Sequence, residues 1–68
     1  MENGNYFGTI FRVFYTDDTQ TNREKVLRLD SADDTFYFFF NIQTKKTEAI
    51  PKRMINRMEE YHLPKEET

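Results

Sequence analysis

Cysteine and tryptophan are absent from the 68 residues, histidine occurs once, and glycine and proline number two each. Without cysteine neither a disulfide nor a thiolate metal site can staple the chain. With two glycines there is no Gly-rich phosphate loop, and with one histidine there is little to build a catalytic constellation. No apolar run reaches the roughly 20 residues of a membrane-spanning helix. Met1-Glu2-Asn3-Gly4 lacks the basic and apolar regions of a signal peptide, and no Asn-x-Ser/Thr sequon is present. The expectation is a cytoplasmic protein with no membrane in its biology. Excess positive charge is missing too. Ten basic against twelve acidic residues give a net charge of −2, which argues against non-specific coating of nucleic acid.

Aromatic residues are plentiful. Seven Phe and four Tyr bring the composition to 16% aromatic. A chain this short buries a modest fraction of its surface on folding. With no covalent staple, an aromatic core or self-association must supply the stability. There is room for one domain, taken as residues 1–63, with a polar tail at 64–68.

Aromatic and β-branched residues from Tyr6 to Tyr15 read as a first strand. The polar stretch Thr16–Glu24 reads as a solvated loop. Lys25–Asp30 reads as a second strand, and Ser31-Ala32-Asp33-Asp34 supplies a turn in which short Asp side chains bond nearby amides. Thr35–Gln43 is the clearest strand, with Phe36, Phe38, Phe40 and Ile42 on one face and Tyr37, Phe39 and Asn41 on the other. A turn at Thr44-Lys45-Lys46 leads to a brief fourth strand, Thr47–Ile50.

After Pro51, Met54, Met58 and Tyr61 fall at i, i+4 and i+7, which predicts a helix over Pro51–His62. The expected fold is therefore α+β, a meander of about four antiparallel strands with one C-terminal helix packed on one face. The alternative replaces that helix by a 3₁₀ turn and a fifth strand, giving a small SH3-like or Sm-like barrel.

A single helix covers one sheet face. The purely apolar set is the natural core: Phe7, Phe11, Val13, Leu27, Leu29, Phe36, Phe38, Phe40 and Ile42, under Met54, Met58 and Tyr61. The two-residue period then puts Ile10, Arg12, Phe14, Val26, Arg28, Tyr37 and Phe39 on the far face. Solvated sheet faces are ordinarily Thr, Lys, Glu and Ser, whereas apolar patches with Tyr and Arg mark contact surfaces. Ile10, Arg12, Phe14, Arg28, Tyr37 and Phe39 are accordingly the expected partner-binding residues. The expected partner is another protein, with homodimer closure as the competing use of the same face.

Lys45, Lys46, Lys52, Arg53 and Arg57 cluster in the sequence against Glu48 alone. On a helix beginning at Pro51, with Ile50 offering no capping oxygen, these residues and the free amides would form an anion site. A nucleic-acid backbone is the alternative ligand that follows, with Tyr37 and Phe39 as stacking surfaces.

The acidic pairs Asp17-Asp18, Asp33-Asp34, Glu59-Glu60 and Glu66-Glu67 could imitate phosphates, but turn and tail solvation explains them. Glu59 and His62 have a metal-ligand spacing without the second motif that a di-metal bundle needs. No metal, cofactor or catalytic residue is expected. The reading is a non-catalytic regulatory or inhibitory protein.

Overall fold

The computed structural model describes residues 6–62 as five strands: β1 (Ile10–Thr16), β2 (Asn22–Ala32), β3 (Phe36–Asn41), β4 (Lys46–Pro51) and β5 (Ile55–Glu60). A 3₁₀ turn, Lys52–Met54, joins the last two. The strands pair antiparallel in the order β4-β3-β2-β1-β5. The edges, β4 and β5, are thus consecutive in sequence. From Pro51 to Ile55 the chain reaches at most about 15 Å at about 3.8 Å per residue. In a flat sheet the two edges would stand about 19 Å apart, four strand spacings of about 4.8 Å. The sheet must therefore curl on itself. Its concave side becomes the core and its convex side faces out.

No α-helix forms among the described residues, so the expected α+β class and the helix at Pro51–His62 are overturned. The five-stranded arrangement is compatible with the SH3-like alternative. The misleading period has a local cause. Tyr15 pairs with Ile55 while Phe14 pairs with Arg57, so Asn56 is the extra residue of a β-bulge. The bulge lets Ile55 and Met58, three apart, both pack on the core, and Met54 joins them from the turn. A 3₁₀ turn followed by a bulge imitates the stripe of an amphipathic helix.

Val13, Leu27, Leu29, Phe39 and Ile50 are buried, with Phe11, Tyr15, Tyr37, Met54, Ile55 and Met58 packed against them. This inverts the expected sides of β3. The alternation of β3 is as expected, but Tyr37 and Phe39 face the core, while Phe36, Phe38 and Phe40 belong to the convex side. Two constraints fix that parity. Leu29 stands directly opposite Phe39, and directly paired residues share a face.

Asn41, on the same side as Phe39, must fold its carboxamide back over the following turn. Its Oδ1 accepts from the amides of Gln43 and Thr44 at 2.9 and 3.1 Å. Its Nδ2 donates to Glu48 at 2.9 Å, and Lys25 donates to the other Glu48 oxygen at 2.8 Å. A polar network thereby closes one end of the core. Phe7, expected inside, precedes β1 and is 54% exposed.

The turns follow from short polar side chains. Asp33 Oδ1 accepts from the amides of Thr35 and Phe36, as the sequence suggests. Asp17 accepts from Thr19, Thr21 and Arg23, tying a five-residue loop between β1 and β2. The loop is shorter than Thr16–Glu24 because Asn22, Arg23 and Glu24 extend β2 opposite Thr16, Tyr15 and Phe14. The expected tail at 64–68 lies outside the described residues, as do Glu66 and Glu67.

Candidate functional site

Strand pairing assembles the convex face row by row. Ile10 stands opposite Arg28, and Arg28 opposite Phe40. Arg12 stands opposite Val26 on one side and Glu59 on the other, and Phe14 opposite Arg57. Cross-strand neighbours of this kind touch, and here each arginine covers a ring. The guanidinium of Arg28 lies 4.8 Å from the centroid of Phe40, that of Arg57 lies 4.3 Å from Phe14, and that of Arg12 lies 5.2 Å from Tyr61. Such stacks are worth about 0.5–1 kcal/mol each when exposed. They also hold long side chains in one place, which lowers the entropic cost of meeting a partner.

Every arginine in these stacks also has a carboxylate. Arg12 pairs with Glu24 at 3.3 Å, Arg28 with Asp30 at 2.7 Å and Arg57 with Glu59 at 3.0 Å. Arg28 grips Asp30 through two nitrogens, and that hydrogen bonding holds the Asp30 carboxyl below its ordinary pKa. Asp30 itself lies at a register shift between β2 and β3, so a second bulge aims the pair outward. The face is therefore studded with arginines yet charge-balanced. An open depression of about 330 Å³ beside the Phe14–Arg57 stack, bordered by Asn22, Arg23 and Asn56, is a dent in this surface rather than an enclosing pocket.

Of the six partner residues expected from sequence, Ile10, Arg12, Phe14 and Arg28 share the convex face. Tyr37 and Phe39 do not join them. Phe39 is 0% exposed, and Tyr37 packs on the core with Lys52 5.1 Å above its ring. In their place the fold supplies Phe36, Phe38, Phe40, Arg57 and Tyr61, which sequence reasoning assigned elsewhere. Asn41 carried the missing signal, since a turn-forming amide on the side of Tyr37 and Phe39 fixes which way they point.

The basic residues are dispersed. Lys45 and Lys46 lie at one end of β4, with Lys45 in the left-handed region at φ 64°. Lys52 and Arg53 lie in the turn at the other end of β4, and Arg57 belongs to the convex face. With no helix there is no helix start to gather anions, which removes the geometry expected of Lys45, Lys46, Lys52, Arg53 and Arg57 as one site. Among the described residues no group of three or more His, Asp or Glu side chains could hold a metal. Among the described residues no helix is long and apolar enough to cross a membrane.

Both sheet edges are guarded against strand addition. β4 is short, ends in Pro51 and turns Glu48 inward, while β5 carries the Asn56 bulge with Arg57, Glu59 and Glu60. These are the devices that block edge pairing.

Comparison with family models, curated proteins and solved structures finds no match for the chain. The functional reading accordingly rests on the residues and their geometry.

Proposed function

We propose that the protein is a non-catalytic regulatory or inhibitory protein of the cytoplasm that acts through contact with another protein, using the β1–β2–β5 part of the convex face. The supporting observation is the set of three arginines, each stacked on a ring and each paired with a carboxylate. A guanidinium has five N–H donors in a rigid fork, and one or two are used here. The remaining donors suit backbone carbonyls and carboxylates on a folded partner, around an apolar centre formed by Ile10, Phe14 and Val26. Phosphates would instead be met by unpaired basic side chains in one groove. The local carboxylates and the dispersal of the lysines weigh against nucleic acid.

The test is affinity capture from cell extract, with and without nuclease, followed by titration of the captured protein. The double variant Arg12→Gln with Phe14→Ser should weaken binding at least about 30-fold, about 2 kcal/mol, as loss of an interface anchor does. The double variant Lys45→Gln with Lys46→Gln should bind like wild type. Loss of capture on nuclease treatment, or greater harm from the lysine variant, would transfer the reading to nucleic acid.

A further inference from the structure

We infer that the β3–β4 part of the convex face is a self-association surface through which two copies of this chain meet about a two-fold axis, each Phe38 ring seating on the partner's Ala49. This part differs in chemistry from the arginine-bearing part. Along β3 and β4 the outward residues are Phe36, Phe38, Phe40, Thr47, Ala49 and Pro51; none is itself charged, and only Phe40, at one end, carries an arginine over its ring. Phe36 and Phe38 lie together with ring centroids 6.1 Å apart.

Its relief is self-complementary. Ser31, Phe38 and Ala49 form one row across β2, β3 and β4. One large ring stands between two small, exposed residues. A two-fold axis beside that row places the ring of each copy over the small residue of the other, the isologous arrangement of most homodimers.

The monomer also has a use for the added burial. Among the described residues five apolar side chains are buried in its core, and no disulfide supports them. The β3–β4 ladder is six residues long. A contact of that extent falls at the small end of specific interfaces, below roughly 1,200 Å² in total. The dimer is therefore weak and concentration-dependent. The proposed contact with another protein shares only the Arg28–Phe40 stack at the border and is probed at Arg12 and Phe14, so either idea can fail alone.

Sedimentation equilibrium over micromolar to millimolar concentrations tests it. The wild-type mass should rise from 8.3 kDa toward twice that value and stop. Ala49→Arg, which places charge at an exposed notch, should raise the dissociation constant at least tenfold with an unchanged unfolding midpoint in dilute solution. Phe38→Ser should do the same, and it provides a second reading if Ala49→Arg disturbs the fold. Arg12→Gln should dimerise like wild type. A wild-type chain that stays monomeric at millimolar concentration, mass that grows past two copies, or variants that dimerise normally would each overturn the inference. A monomer whose capture of another protein is lost in Ala49→Arg would assign the patch to that protein instead.

Discussion

Asn41 is buried, and its carboxamide meets three partners, two backbone amides of the following turn and Glu48. Replacing it by Ala removes the turn's side-chain acceptor and takes one donor from a half-buried carboxylate. The expected loss is about 1–3 kcal/mol of folding free energy, read from urea unfolding. Burial alone would raise the pKa of Glu48. Hydrogen bonds from Lys25 and Asn41 outweigh it and leave the carboxyl below its ordinary value. The hydrogen bond from Lys25 to Glu48 in turn raises the pKa of Lys25. Asp17, Asp30 and Asp33 are also held low, by bonds from Thr19 and Arg23, from Arg28, and from the amides of Phe36 and Thr35 respectively. A carboxyl with a lowered folded pKa stabilises the fold above its unfolded value and loses that contribution as pH falls through the folded one. Stability should therefore hold from about pH 5 upward and decline below about pH 4. A lysine with a raised pKa contributes below its unfolded value, so the Lys25 contribution fades only above about pH 10. Unfolding midpoints across pH check both limbs, and a midpoint that rises below pH 4 would contradict the assignments.

Among the elements, β5, like β2 with Asp30, owes its facing to a single extra residue. Asn56 sits in the bulge, and its Nδ2 donates to the Thr16 hydroxyl at 3.0 Å. Deleting Asn56 would restore a two-residue period with Ile55 and Met58 both still on the core side, at a cost of about 1 kcal/mol for the lost bond to Thr16. Thermal unfolding would show it, whereas a loss of about 2 kcal/mol or more, as expected if Met58 were turned out of the core, would contradict the bulge. Turns, strand alternation and the existence of β1 to β4 were legible in the sequence because Asp33, the Phe run and the polar loops act locally. β5 was not, because a 3₁₀ turn and a bulge together place Met54, Ile55 and Met58 at spacings that read as a helix. The facing of β3 was not legible from hydrophobicity, since both sides are aromatic. It is set by Asn41 and by pairing with Leu29. The candidate site was half legible for the same reason. Ile10, Arg12, Phe14 and Arg28 were found by parity along β1 and β2, while the β3 members were exchanged for their neighbours.

For the whole molecule, a sheet whose two edges are joined by a three-residue turn must curl on itself. The curl gives it a small concave core and leaves a convex surface rich in rings. Pro51, the inward Glu48 and the Asn56 bulge guard the edges against added strands, which leaves the face as the proposed contact surface. That face has two parts, one built from arginine–ring stacks with balanced charge and one uncharged around Phe38. The division of rings between holding the fold and meeting partners is the claim on which the rest stands. Equilibrium urea unfolding of Phe39→Ala and Phe14→Ala in dilute solution tests it most directly. Phe39 is fully buried and its loss should cost about 3–5 kcal/mol. Phe14, held on the convex side under Arg57, should cost about 1 kcal/mol or less. Equal losses, or a larger loss at Phe14, would place that ring in the core and contradict the account.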